Sequence, residues 1–123
     1  MSRPEAEVYK QLRFEAAHRL PNLPPSHKCS RLHGHSFRVR IGVKGAVDPE
    51  LGWVVDFGDI KKIMKPTLER LDHNYLNEIE GLENPTGENI AVWIWQRLKP
   101  TFPGLFEVKV YETCTGSCVY RGD

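Results

Sequence analysis

The sequence is poor in the features that mark membrane, secreted and nucleic-acid-binding chains. No run of about 18 apolar residues occurs, so no membrane-spanning helix is expected. The start, MSRPEAEVYKQ, has no apolar segment of the signal-peptide kind, and the protein is expected in the cytoplasm. Cysteine is scarce: Cys29, Cys114 and Cys118 are the only three, an odd number that argues against a disulfide framework. Cys114 and Cys118, spaced C-x-x-x-C, do not form the usual C-x-x-C zinc knuckle and read as small buried residues. Charge of either sign is not in excess. Seventeen Lys and Arg against sixteen Asp and Glu leave a net charge of +1, so no strong field draws the chain to nucleic acid or to a membrane surface. Internal repeats and low-complexity tracts are also missing.

What is present suits a soluble globular protein. The 123 residues, 40% hydrophobic and 27% charged, fit one domain over 1–123, with about residues 1–6 frayed. Glu7 to His18 reads as a strand, with Val8, Leu12, Phe14, Ala16 and His18 on one face and Lys10 as the polar interruption. Pro21, Pro24 and Pro25 make the stretch to Ser30 a loop. His33 to Lys44 alternates cleanly, Phe37, Val39, Ile41 and Val43 against Ser36, Arg38, Arg40 and Lys44. Asp48, Pro49 and Gly52 mark a turn, after which Trp53–Val55 is expected to return as a short strand.

Asp56 is placed to cap a helix over Phe57–Leu71 that buries Phe57, Ile60, Ile63, Met64, Leu68 and Leu71, with Pro66 expected to kink or split it. Residues 72–85 read as irregular. Thr86 is placed to cap a second helix to Leu98, with Ile90, Trp93, Ile94 and Leu98 inward, ended by Pro100, Pro103 and Gly104. A hairpin, Phe106–Thr113 with Val119–Arg121, closes the chain. Strands, helices, then strands again suggest an α+β fold, an antiparallel sheet with helices on one face.

Three of the five histidines fall on core-facing phases. His33 and His35 continue the Phe37–Ile41 face with Cα atoms roughly 6.6 Å apart, and His18 continues the Phe14–Ala16 face. Three neutral imidazoles make a zinc site with one position left open. Cys29 is then either a fourth ligand that closes the site or a thiolate acid/base beside it, and spacing does not separate the two. Asp72 and His73 suit a proton relay, although adjacent residues need not touch and on these two residues alone a solvated helix end is the favoured reading. Glu112 shares the even parity of Phe106, Val108 and Val110, so a carboxylate is aimed at the core side. Its burial costs several kcal/mol unless paired, and two parallel N–H donors, as on a 2-aminopyrimidinone ring, would satisfy it. A strand end in solvent, or a bulge, is the alternative.

Five elements in this order resemble the 6-pyruvoyl-tetrahydropterin synthase family, most closely its carboxy-forming bacterial branch, over nearly the whole chain. They are Phe14-Glu15-Ala16-Ala17-His18, Cys29-Ser30-Arg31-Leu32-His33-Gly34-His35, Leu71-Asp72-His73, Glu83-Asn84-Pro85-Thr86 and Glu112-Thr113. The resemblance implies the tunnelling fold: an antiparallel four-stranded sheet with two helices on one face, three subunits closing a barrel, and two trimers a homohexamer. It implies one Zn²⁺ per subunit on His18, His33 and His35, with Cys29, Asp72 and His73 catalytic and Glu112 anchoring a pterin. Thr86 and Thr113 match positions that hold the ring, and His27, Lys28 and Arg31 are candidates to meet a triphosphate. The implied substrate is 7,8-dihydroneopterin triphosphate, on the route to queuosine. Two alternatives stand beside this one, a pyruvoyl-forming synthase and a zinc-stabilised binding protein with Cys29 as ligand. A side-chain-cleaving variant of the family typically has Glu where Cys29 stands, and dual-function variants tend to have Glu at the position of Leu32.

Overall fold

The computed structural model describes residues 3–113 and 115–123, so Cys114, and residues 1 and 2 of the expected frayed start, lie outside the described residues. Seven elements set the architecture: β1 Glu5–His18, β2 His33–Ala46, α1 Phe57–Leu71, β3 Asn74–Tyr75, α2 Gly87–Leu98, β4 Leu105–Tyr111 and β5 Ser117–Tyr120. Single 3₁₀ turns at Lys28–Ser30, Leu76–Glu78 and Lys99–Thr101 connect them. The strands form one five-stranded sheet in the order β3-β1-β2-β4-β5.

The frame is the long β1–β2 pair, antiparallel in unbroken register from Glu5↔Ala46 to His18↔His33. Period-two alternation on both strands puts Phe14, Phe37, Val39 and Ile41 on the helix side, each no more than 1% exposed. Phe14 and Phe37 stack there with ring centroids 4.9 Å apart. Each such side chain contributes roughly 1.5–3 kcal/mol by leaving water. Both helices start as their caps dictate. The Asp56 carboxylate accepts Gly58 N–H at 2.9 Å and the Thr86 hydroxyl oxygen accepts Asn89 N–H at 3.1 Å. Ile60, Met64 and Leu71 of α1, and Ile90, Trp93, Ile94 and Leu98 of α2, complete the core.

Several expectations are corrected. The sheet has five strands, not four, and is not wholly antiparallel. β3 pairs with β1 in parallel, Ala16↔Asn74 and Ala17↔Tyr75. Trp53–Val55 forms no strand. Asp48 closes the preceding loop on itself, its N–H donating to Trp53 O at 2.9 Å and its carboxylate accepting Glu50 and Leu51 N–H, so this segment never reaches the sheet. Helix α1 is not split by Pro66: the carbonyl that loses its partner belongs to Lys62, an exposed residue. Phe57, at its first position, is 55% exposed, and Thr67 is buried instead.

Phe106 is also not on the core side. The β2–β4 register passes from Gly42↔Glu107 to Val43↔Leu105, a bulge that leaves Phe106 unopposed. Phe106 packs edge-on against Tyr9 on the helix-free face. Gly42 makes room for this, since a Cβ there would sit 3.0 Å from the Tyr9 ring and 3.1 Å from both Phe106 and Glu107. Glu107, 2% exposed, is held by Arg40 at 2.6 Å and Arg121 at 3.2 Å.

Candidate metal centre and adjoining grooves

The β1–β2 register ends by setting His18, the last residue of β1, opposite His33, the first of β2, with His35 two residues on. The three imidazoles meet with ring centroids 4.6, 4.8 and 5.2 Å apart. One nitrogen from each lies within 4.8 Å of the others, and among the described residues these three histidines are the group placed to hold a metal ion.

Backbone carbonyls orient two of the rings. His18 Nδ1 is 2.8 Å from Pro85 O, and His33 Nδ1 is 2.7 Å from Arg31 O. A carbonyl only accepts, so each Nδ1 carries the proton and each Nε2 presents a lone pair, the arrangement found around metal-bound imidazoles. His18 is 1% exposed, and burial pushes its pKa down to about 4, with the neighbouring His33 and His35 adding to the shift and the Pro85 bond opposing it. Burial, then His33, lowers His35 as well. Both rings are therefore neutral and ligand-ready near neutral pH.

Glu112 comes to the same point. Its Oε1 is 3.6 Å from His18 Nε2, and both atoms are buried with no hydrogen-bond partner among the described residues. Two acceptors thus face each other across a gap that a cation or a donor must bridge, a direct sign that the residues fit a metal ion and a donor-bearing ligand. Burial raises the carboxyl pKa of Glu112, Glu88 adds to this, and His33 opposes it. The residue stands just past the end of β4, its N–H donating to Gly116 O at 3.2 Å. Cys118 lies behind it, half-buried, and burial with Glu88 and Glu112 raises its thiol to about 11, so it stays protonated. Its Sγ occupies the space where a Cβ on Gly87 would fall, 2.9 Å away, which is a packing role.

Because β4 stops at Tyr111, opposite Arg38, β2 has no β4 neighbour from His33 to Phe37. A groove of about 560 Å³ fills that gap, lined by Arg13, His35, Ser36, Arg38, Glu112 and Thr113. Thr113 is among the lining residues. Thr86 is not among the lining residues, and its hydroxyl oxygen caps α2.

Asp72 and His73 do touch: Asp72 Oδ2 is 3.0 Å from His73 Nδ1. Asp72 Oδ1 accepts Glu15 N–H at 2.9 Å, and this bond first, then His73, lowers the carboxyl pKa. His73 sits in the left-handed region with φ 59°, a strained state for a residue with a Cβ and a frequent mark of functional turns. It lines a second groove of about 560 Å³ with Glu15, Ala16, Ala17, Gly34, His35 and Ser36. His73 therefore shares a groove with His35 but is not a member of the histidine cluster.

Cys29 lies half-buried in the 3₁₀ turn that follows His27 and is not a member of the histidine cluster. Its carbonyl accepts Leu20 N–H at 2.8 Å, which ties the turn to the segment leaving β1. His27 Nδ1 accepts Cys29 N–H at 3.1 Å, and Lys28 and Arg31 are exposed. Sequence reasoning missed Arg13, Ser36, Arg38 and the Pro85 carbonyl. The first three are visible only as the polar phase of two strands, and a carbonyl has no signature at all.

The model of the 6-pyruvoyl tetrahydropterin synthase family matches residues 7–123. A 6-carboxy-5,6,7,8-tetrahydropterin synthase of Synechocystis is 46% identical over 92% of this chain and 91% of its own. The human 6-pyruvoyl tetrahydrobiopterin synthase is 36% identical over 97% of this chain and 93% of its own. The solved 6-pyruvoyl tetrahydropterin synthase of Caenorhabditis elegans superposes with a TM-score of 0.92 at 29% identity, covering 100% of this chain and 99% of that one. Matching two helices and a mixed five-stranded sheet, with three histidines where β1 and β2 meet, the chain belongs to the 6-pyruvoyl tetrahydropterin synthase family.

Proposed function

We propose that this protein is a zinc-dependent lyase that converts 7,8-dihydroneopterin triphosphate and water to 6-carboxy-5,6,7,8-tetrahydropterin, acetaldehyde and triphosphate, in queuosine and related 7-deazapurine synthesis. The observation that carries the reading is the meeting of three metal-ready imidazoles with a buried, unpaired Glu112 oxygen. The relative that is 46% identical is a 6-carboxy-5,6,7,8-tetrahydropterin synthase, which favours this product over the pyruvoyl one.

His18, His33 and His35 would hold one zinc ion per subunit. When bound, zinc supplies a Lewis acid that polarises the side-chain oxygens of the substrate. Glu112 accepts from the paired N–H groups of the pterin edge and so fixes the ring beside the metal site, and Thr113 and Thr86 add polar contacts. Asp72 holds His73 Nδ1 and leaves the other ring nitrogen to exchange a proton. Cys29 acts as the partner acid/base. His27, Lys28 and Arg31 meet the triphosphate.

His73, exposed and outside the histidine cluster of its own chain, supports a site shared between subunits. His73 of one copy would serve the metal centre of another in a hexamer of two trimers built as a barrel. The whole chain, 1–123, then works as one domain, in the cytoplasm. No helix among the described residues is long and apolar enough to cross a membrane.

Incubation of the zinc-loaded protein with 7,8-dihydroneopterin triphosphate, with products separated by liquid chromatography and mass spectrometry, tests the assignment. The expected yield is 6-carboxy-tetrahydropterin and acetaldehyde in equal amounts. 6-Pyruvoyl-tetrahydropterin as sole product would move the chain to the alternative reading that the human relative represents.

A further inference from the structure

The side chain of Asn77 stands where two separate pieces of backbone converge on His18. Strand β3 pairs with β1 for two residues, Ala16 and Ala17, and the chain then turns away at Leu76–Glu78. Asn77 continues the ladder with its carboxamide. Arg19 N–H donates to Asn77 Oδ1 at 3.0 Å, and Asn77 Nδ2 donates to Arg19 O at 2.9 Å. Arg19 directly follows His18. The same Nδ2 is 3.4 Å from Glu83 O, two residues before Pro85, whose carbonyl orients the His18 ring. The three contacts fix the amide orientation, since one terminus faces an N–H and the other faces two carbonyls. No shorter carboxamide exists, and an aspartate would only accept.

We propose that Asn77 is a positioning residue for His18, clamping the strand end that carries the ligand to the segment that fixes its tautomer. The inference rests on the metal-site reading above. The rival is a purely structural clamp, whose loss would lower stability without a selective effect on metal uptake.

Zinc affinity of the full chain, measured by competition with a chromophoric chelator, separates the two. The Co²⁺ visible spectrum adds a geometric readout. Asn77→Ala is expected to bind zinc about 10-fold or more weakly, as removal of a ligand-supporting contact typically does, and to shift the Co²⁺ bands. Asp48→Ala is the control. It loses two backbone N–H bonds near the other end of β1 and β2, and is expected to keep zinc affinity within about twofold, whatever its melting temperature. Asn77→Asp keeps the acceptor for Arg19 N–H and sets a carboxylate against two carbonyls. It is expected to weaken zinc as well, and it serves as the test if Asn77→Ala does not fold. Zinc affinity and Co²⁺ bands like those of wild type in these variants would overturn the inference. Failure of the underlying site shows earlier and differently, as a wild-type protein that takes up no zinc.

Discussion

Replacing Glu112 with glutamine should stabilise the metal-free protein and weaken its hold on zinc, an uncommon pair of effects for one substitution. In the metal-free fold His18 Nε2 and Glu112 Oε1 are two buried acceptors 3.6 Å apart, neither with a partner among the described residues. A buried polar atom left unpaired costs about 1–3 kcal/mol. Glutamine removes the charge and offers an N–H that needs to move only a few tenths of an ångström to donate to His18 Nε2. One new bond is worth about 1 kcal/mol net, which raises the melting temperature by roughly 4 °C for a chain of this size. The same bond occupies the lone pair that a metal ion needs. Zinc must then break it, so affinity falls by roughly fivefold, the factor that about 1 kcal/mol represents.

Thermal unfolding at pH 7.5 with a chelator, and again with excess zinc, reads both effects. The variant should melt above wild type in chelator. In excess zinc the difference should vanish, because the metal breaks the bond that stabilises the free variant and mass action offsets the gain. A Glu112→Gln protein that is less stable than wild type without metal would refute the reasoning. It would mean that the carboxylate is not a frustrated acceptor in the free fold.

Two further predictions concern acid and the thiol. His18 binds a proton near 6.5 in the unfolded chain but only near about 4 in the fold, so the unfolded state binds more protons between those values. Its contribution to stability is full above pH 6.5 and is lost as pH falls toward about 4. Denaturant midpoints of metal-free protein taken across that window should decline, and a flat profile would contradict the buried neutral ring. Cys29→Ala should keep zinc and stability while losing turnover, because Cys29 is not in the histidine cluster. Joint loss of zinc and stability would make Cys29 a structural ligand instead.

The legible part of this fold is what period-two and period-3.6 patterns encode. Strands β1 and β2, both helix caps and most of the helix core positions follow from residue spacing alone. What failed needed knowledge of where the chain returns. A two-residue strand such as β3 has no periodicity, and its place in the sheet depends on α1 delivering it to the free edge of β1. Trp53–Val55 has strand-like residues, but Asp48 bonds the loop to itself first. Pro66 removes one hydrogen bond at the carbonyl of an exposed residue, too small a loss to break a helix whose other face is buried.

The site divides along the same line. Parity placed the three histidines, because β1 and β2 keep register without interruption through them. Parity also delivered Glu112 to the metal centre although its starting assumption, an inward Phe106, was wrong. The bulge lies at Phe106, before Val108 and Val110, and these two residues set the phase that Glu112 continues. A bulge two residues later would have turned the carboxylate to the other face, and nothing in the alternation of β4 announces which occurs. The contacts that orient the imidazoles were out of reach for a different reason. Pro85 O and Arg31 O are backbone atoms, present at every position, and only the course of the chain decides which carbonyl meets which ring. Asn77 is the one part of that support with a side-chain identity. Its meaning emerges only when β3 has brought residues 74–77 alongside the last turns of β1. Metal-ready geometry at His18 therefore depends on an element too short to leave a pattern of its own.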